Sequence, residues 1–263
     1  MADWILPHLS GRPLTLVRCP GGSKKTCFFQ KHAWAGLSDF IVRQTLRDSG
    51  KAEEVLFVRD IQGVVALAQA GVLEMHPWGA TVERPDAPDR VIFDFDPGEG
   101  VAWADVITGA REVRDRLDRL NLTSFVKTTG GKGLHVVVPL TATASWDEAK
   151  SFTEALADAM VADSPERYTT SSAKGERGGR IFIDYLRNTR GATAVAPYST
   201  RARPGAPVST PLSWDELSGE MPSNHFTLAT VVERVRGVED PWADFHRTKQ
   251  SLPKPQGRRK RSS

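Results

Sequence analysis

The chain has 263 residues, 40% of them hydrophobic and 25% charged, a globular composition long enough to bury one large core or two smaller ones. No window approaches the roughly 18 apolar residues of a membrane span, and MADWILPHLSGRP lacks the basic and apolar regions of a secretory signal, so a cytoplasmic protein without a membrane partner is expected. The net charge of +3 is unevenly placed: residues 247–263 hold seven Lys and Arg and no acid, and subtracting those seven leaves residues 1–246 at −4.

A basic tail of that kind, expected to be disordered, holds phosphate backbones without sequence preference or is simply solvated. On the body, positive charge clusters in residues 174–203, with seven Lys and Arg against two acids. Cys19 and Cys27 lie eight apart with no second Cys/His pair nearby. That spacing argues against a zinc site and a disulfide framework, and predicts two reduced thiols.

In chain order, β-rich runs bounded by Gly, Pro and Asn predict strands at 14–19 and 54–60, and residues 63–73 read as a helix weakened at its end by Gly71. A strand follows at 90–96, then an amphipathic helix from Trp103 to Leu120, whose Val106, Ala110, Val113 and Leu117 keep 3–4 spacing. Strands at 123–129 and 134–140 are separated by only a Gly-rich turn, which predicts an antiparallel hairpin. The S-W-D-E capping box at Ser145 opens another helix, running through Ala149, Phe152, Leu156 and Met160, before strands at 180–186 and 192–198. The expected fold is α+β, a mixed or antiparallel sheet flanked by helices. It divides into an N-terminal α/β subdomain (1–85), a catalytic core (86–246) and the tail (247–263).

Chemistry concentrates in three places. In VIFDFDPGEG, alternation along a strand puts Asp94 and Asp96 on one face and Phe95 on the other. Two carboxylates this close repel by roughly 4 kcal/mol at 4 Å and an effective dielectric of 20, so they call for a cation, with hard oxygen ligands suiting magnesium or manganese; capping the following turn is the bland alternative. Gly98 stands where a dehalogenase-like phosphatase needs Thr or Val, and Pro97 and Gly98 break an EF-hand loop, whereas a D-x-D nucleotide-sugar transferase survives as an alternative. The second place is KTTGGKGLHVVVPL, where Gly130, Gly131 and Gly133 permit close backbone approach to a phosphate, with Lys132 and His135 adding donors. It departs from the Walker A pattern, since Gly follows Lys132. The third is RIFIDYLRN, where Asp184 ends an apolar strand, followed by Arg187, Arg190, Arg201 and Arg203. A nucleoside triphosphate brings about four negative charges, and two divalent ions with Lys132, Arg187, Arg201 and His135 would offset them alongside three aspartates.

In that order and spacing, DFDPG, TTGGKGLHVVVPL and RIFIDYLRN-RGATAVAPYSTRARPGAPVSTPL resemble the polymerase domain of bacterial ATP-dependent DNA ligase D, of the archaeo-eukaryotic primase superfamily. The similarity extends through LPHLSGRPLTLVRCP, FFQKHA and GVLEMHPWG to DPWADF, nearly the whole chain. The resemblance implies a primase-polymerase-like fold and a nucleotidyltransferase adding nucleotides, ribonucleotides preferentially, to DNA 3′ ends in non-homologous end joining. It implies two manganese or magnesium ions on Asp94, Asp96 and Asp184, and nucleotide contacts from Thr129, Lys132, His135, Arg187, Arg201 and His76. Phe28 is implied as a nucleic-acid stacking position, although on an alternating strand one of Phe28 and Phe29 is expected in the core. Implied partners are DNA double-strand ends or gapped duplex, nucleoside triphosphates, Ku and a DNA ligase domain, at the bacterial nucleoid. Thr129 replaces the family's usual Ser, the family's lysines for a recessed 5′-phosphate lie in a segment upstream of LPHL, and no K-x-D-G ligase nucleophile occurs in the sequence. A catalytically degenerate DNA-end binding module is the alternative of a different class.

Overall fold

The computed structural model describes residues 1–22, 25–48 and 51–253. α1 (Ala2–Leu9) precedes β1 (Leu14–Arg18), β2 (Phe28–Gln30), β3 (Val42–Asp48), β4 (Lys51–Phe57), α2 (Ile61–Gln69) and β5 (Val72–Pro77). Then come β6 (Arg90–Pro97), α3 (Trp103–Arg119), β7 (Phe125–Thr128), β8 (Leu134–Pro139), α4 (Trp146–Asp163), β9 (Tyr168–Thr169), β10 (Ile181–Asp184), β11 (Pro211–Leu212) and α5 (Leu228–Gly237). These strands form a three-stranded sheet ordered β2-β1-β5, a β3-β4 pair, and a six-stranded sheet ordered β11-β7-β8-β6-β10-β9. The large sheet is antiparallel except where β9 joins β10, the mixed α+β arrangement expected. Among the described residues no helix is long and apolar enough to cross a membrane.

β6 takes a central place because one of its faces is wholly apolar. Val91, Phe93 and Phe95 are fully buried against Val106, Ala110 and Val113 of α3 and Ala149, Ala157 and Met160 of α4. Each phenylalanine contributes about 1.5–3 kcal/mol by leaving water, which anchors the strand and fixes its other face, with Asp94 and Asp96, toward the opposite side. The capping box at the start of α4 forms as expected: Glu148 N–H donates to Ser145 Oγ at 3.2 Å, and Ser145 N–H to the Glu148 carboxylate at 2.8 Å. A second core around Leu9, Leu16, Leu56 and Leu67 includes Ala196, Tyr198, Val208 and Val231 from the later part of the chain.

Some elements differ from the sequence reading. α2 stops at Gln69, and Gly71, at φ +74°, turns the chain so that Val72–Pro77 becomes a strand paired with β1 instead of the last turn of a helix. Residues 192–198 are irregular, although Ala194 N–H and Ala196 N–H donate to Pro77 O and Met75 O of β5. Pro197 lacks an N–H to continue that pairing.

Nor are Cys19 and Cys27 reduced: they form a disulfide with their Cα atoms 4.3 Å apart. Because β1 pairs with β2 in a register that sets Arg18 opposite Phe28, the next residue out on each strand meets across the neck of the hairpin. The start of the basic tail is held, with Gln250 donating to Thr123 O and Pro139 O and accepting from Thr141 N–H. Residues 254–263 lie outside the described residues.

Candidate active site

Strand register places one residue from each of four adjacent strands in a single row. Asp184 of β10 is opposite Asp94 of β6, Asp94 is opposite His135 of β8, and His135 is opposite Lys127 of β7. Cross-strand partners share a face, and Asp96 joins that face two residues further along β6. Asp94, Asp96 and His135 floor a cleft of about 380 Å³ walled by Gly131, Lys132 and Gly133 of the glycine loop and by Arg187, Arg201 and His76, with Asp184 joined to it through Arg187.

Two arginines pair with the three carboxylates and offset part of their charge. Arg187 Nε lies 3.2 Å from Asp94 and 3.1 Å from Asp184, and Arg177 Nη1 lies 3.0 Å from Asp96. Leu186 N–H also donates to Asp184 at 3.0 Å. Burial and the repulsion of Asp94 raise the pKa of Asp96 above the usual carboxylate range; burial raises Asp184 as well, against the pull of Arg187. Burial favours a protonated Asp94 too, but His135, Arg187 and Lys127 together hold its carboxyl well below that range. His135, pushed down to about 4 by burial and by Lys127, is neutral at pH 7 and donates Nε2–H toward Asp94 at 3.3 Å. Lys127 is itself almost wholly buried, its pKa driven well below that of a free lysine by burial, with Nζ donating to Ser209 Oγ at 2.6 Å.

The glycine loop is shaped by two backbone demands. Gly130 adopts φ +65°, and Gly133 passes so close to β6 that a Cβ there would lie 2.0 Å from Phe95 O. Thr129 is turned inward: its hydroxyl accepts from the N–H groups of Gly131 and Gly133 at 3.2 and 3.3 Å and sits 3.1 Å from Gly133 O. Those bonds hold the loop in shape, and Thr129 still lines the cleft. Lys132 is exposed at the rim, where the loop's backbone lifts it clear of the sheet.

Arg201 spans the cleft wall, with Nη1 donating to Thr129 O at 2.7 Å and Nε to Glu74 at 3.0 Å. His76 rests on the same Glu74 carboxylate through Nε2 at 2.8 Å. Neither Phe28 nor Phe29 is core, contrary to the alternation argument, because β2 is a three-residue edge strand with both faces uncovered. Phe29, 71% exposed, lines the cleft with its ring 6.3 Å from His76, while Phe28 lies beside the Arg18 guanidinium instead.

The structure thus gathers Asp94, Asp96, Asp184, His135, Arg187, Arg201, Thr129, Lys132 and His76 around one cleft, and sets Phe28 outside it. Sequence reasoning passed over Glu74, Lys127, Phe29 and Arg177. Glu74 was the most accessible of these, since it stands two residues before His76 on a strand and so shares its face. Among the described residues no three His, Cys, Asp or Glu side chains are already gathered as a metal cage. The three aspartates are instead in ion pairs: Arg187 stands between Asp94 and Asp184, and Arg177 pairs with Asp96.

The family model for the LigD primase-polymerase domain matches residues 1–242. The chain belongs to the LigD primase-polymerase domain family. It is 38% identical over 253 residues to the multifunctional non-homologous end joining protein LigD of Pseudomonas aeruginosa, covering 95% of the chain and 30% of that protein. Against the bifunctional LigD of Bacillus subtilis it is 30% identical, covering 96% of the chain and 41% of the relative. The chain therefore spans less than half the length of these LigD proteins. Its fold matches the polymerase domain of Mycobacterium tuberculosis Ligase D, solved in complex with DNA, with a TM-score of 0.85 and 29% identity over 92% of the chain and 87% of that domain. With LigD membership established, the D-x-D nucleotide-sugar transferase reading falls away.

Proposed function

We propose that this LigD polymerase-family chain is a metal-dependent nucleotidyltransferase that extends DNA 3′ ends in non-homologous end joining, preferring ribonucleoside triphosphates. The observation that carries the proposal is the row in which Asp184 and Asp94 face each other across β10 and β6, with Asp94 on the floor of a cleft walled by basic groups. A triphosphate and a polynucleotide end are both polyanions, and a site for joining them needs fixed cations with a carboxylate set beneath.

The donor set fits magnesium or manganese: all three side chains are hard oxygen ligands, and burial, with the repulsion of Asp94, raises the pKa values of Asp96 and Asp184, which a bound cation would offset. Asp94, Asp96 and Asp184 would hold one or two such ions once Arg187 and Arg177 release them; Arg187 is 41% exposed. When bound, the metal would neutralise phosphate charge and favour ionisation of the attacking hydroxyl. The chain's own groups supply the rest. Arg187, Arg201 and Lys132 hold phosphate oxygens, His135 offers a neutral donor beside Asp94, and the exposed Phe29 ring serves as a base platform. Residues 86–246 act as the catalytic core and residues 1–85 as the platform carrying Phe29 and His76. Ku and a ligase domain are the partners proposed for sealing the product.

Primer extension on a gapped duplex with Mn²⁺ and ribonucleotides tests the reading. Wild type is expected to add nucleotides, and Asp94→Ala and Asp184→Ala to lose at least a hundredfold in rate, as expected for groups acting on the reacting phosphate (~2.7 kcal/mol or more). Equal incorporation by the variants would refute the site, and DNA binding without any incorporation by wild type would identify a non-catalytic end-binding module.

A further inference from the structure

Glu74 is a buried carboxylate that the proposed chemistry leaves without a task. It is 6% exposed, on β5 of the small sheet, and β alternation sets it on the same face as His76. Its Oε2 accepts from His76 Nε2 at 2.8 Å and from Arg201 Nε at 3.0 Å, and its Oε1 accepts from Ala202 N–H at 2.8 Å. Arg201 continues across the cleft to Thr129 O at 2.7 Å. One carboxylate therefore ties together β5, residues 201–202 and the glycine loop of the large sheet. Burial favours the protonated acid, but the His76 hydrogen bond, Arg201 and Ala202 N–H pull Glu74 down to about 2, so it is ionised at neutral pH and the His76 proton sits on Nε2.

A buried anion at the wall of a site for a polyanion is paradoxical on charge alone. At long range it repels the triphosphate, and nothing in the proposed reaction needs a carboxylate there. Geometry removes the paradox. An arginine side chain loses conformational freedom when fixed, and a guanidinium already held at Nε and Nη1 has lost most of it before the ligand arrives. The same carboxylate commits His76 Nε2, which leaves Nδ1 as the ring nitrogen available to the cleft.

We propose that Glu74 is a positioning residue for nucleotide binding, holding His76 and Arg201 in the orientations in which they meet the bound triphosphate. This rests on the nucleotidyltransferase reading. It makes a prediction whose sign separates it from plain electrostatics: removing the negative charge weakens triphosphate binding, although Coulomb's law alone says it should strengthen it.

The test is isothermal titration of the whole chain with ATP and Mn²⁺, comparing wild type, Glu74→Gln, the double variant His76→Ala/Arg201→Ala, and all three substitutions together. Glu74→Gln is expected to weaken ATP binding about tenfold in the wild-type background and less than twofold where His76 and Arg201 are already gone, since a positioning residue has nothing left to position. Binding by Glu74→Gln as tight as wild type or tighter overturns the proposal, as does an equal loss in both backgrounds. Should Glu74→Gln fail to fold, Glu74→Asp keeps the charge and shortens the reach; a tenfold loss supports the proposal and unchanged affinity overturns it. Absence of ATP binding by folded wild type would instead overturn the nucleotidyltransferase reading, and this inference with it.

Discussion

Replacing Arg187 with alanine removes the cation that separates Asp94 from Asp184. Its Nε lies 3.2 and 3.1 Å from one oxygen of each, so those oxygens are within about 6 Å of each other and, unshielded, repel by about 3 kcal/mol at an effective dielectric of 20. Arg187 is 41% exposed, so solvent screening reduces the expected loss to about 1–2 kcal/mol in the absence of divalent metal. A metal ion that binds the native carboxylates stabilises the fold by RT ln(1 + [M]/Kd), about 2.7 kcal/mol at one hundred times Kd. Wild type spends part of that gain displacing Arg187; the alanine variant has nothing to displace. Urea unfolding followed by tryptophan fluorescence, first with EDTA and then across a Mn²⁺ titration, is expected to show Arg187→Ala less stable at the outset and the gap closing as Mn²⁺ rises. A gap that stays constant or widens with Mn²⁺ would refute the idea that Arg187 and the metal compete for the same carboxylates.

Three further outcomes are expected. Lys127→Met should raise stability at pH 7.5 by about 1–3 kcal/mol, because it removes a buried amine while Ser209 keeps its own bond to Thr128 O. Burial holds Lys127 well below 10.5, so the unfolded chain binds the extra proton between the two pKa values. Wild type should therefore gain on the variant as pH rises toward 10.5, by at most about 1.4 kcal/mol per unit, and a flat difference in urea midpoints would refute the lowered pKa. Gly133→Ala would drive a Cβ to 2.0 Å from Phe95 O, so a loss of about 1–3 kcal/mol and weaker ATP binding are expected; unfolding and titration measure both. Cleaving the Cys19–Cys27 disulfide with dithiothreitol, which opens a loop of sequence separation 8, should cost about 2.5 kcal/mol of stability. No change in the urea midpoint on reduction would contradict that.

Local periodicity made much of this protein legible. The alternation of apolar and acidic residues in 91–96 put Asp94 and Asp96 on one face and Phe95 on the other, and the core confirms it, because a strand's two faces are decided by residues next to one another. The Gly-rich turn announced the β7–β8 hairpin and Ser145 announced α4 for the same reason. Spacing alone misjudged the cysteines, since their pairing depends on the β1–β2 register and not on their distance along the chain. It also placed one phenylalanine in a core, where β2 turned out to be an uncovered edge.

The sequence by itself determined which residue types could do the chemistry and which side of each strand they occupy. Only the tertiary structure decided what they touch. Asp184 meets Asp94 through strand order, and Glu74 grips an arginine 127 residues away. Such partners are selected by the packing of whole sheets against one another, where burial of apolar faces far from the site fixes the register, and no local pattern around either residue records that choice.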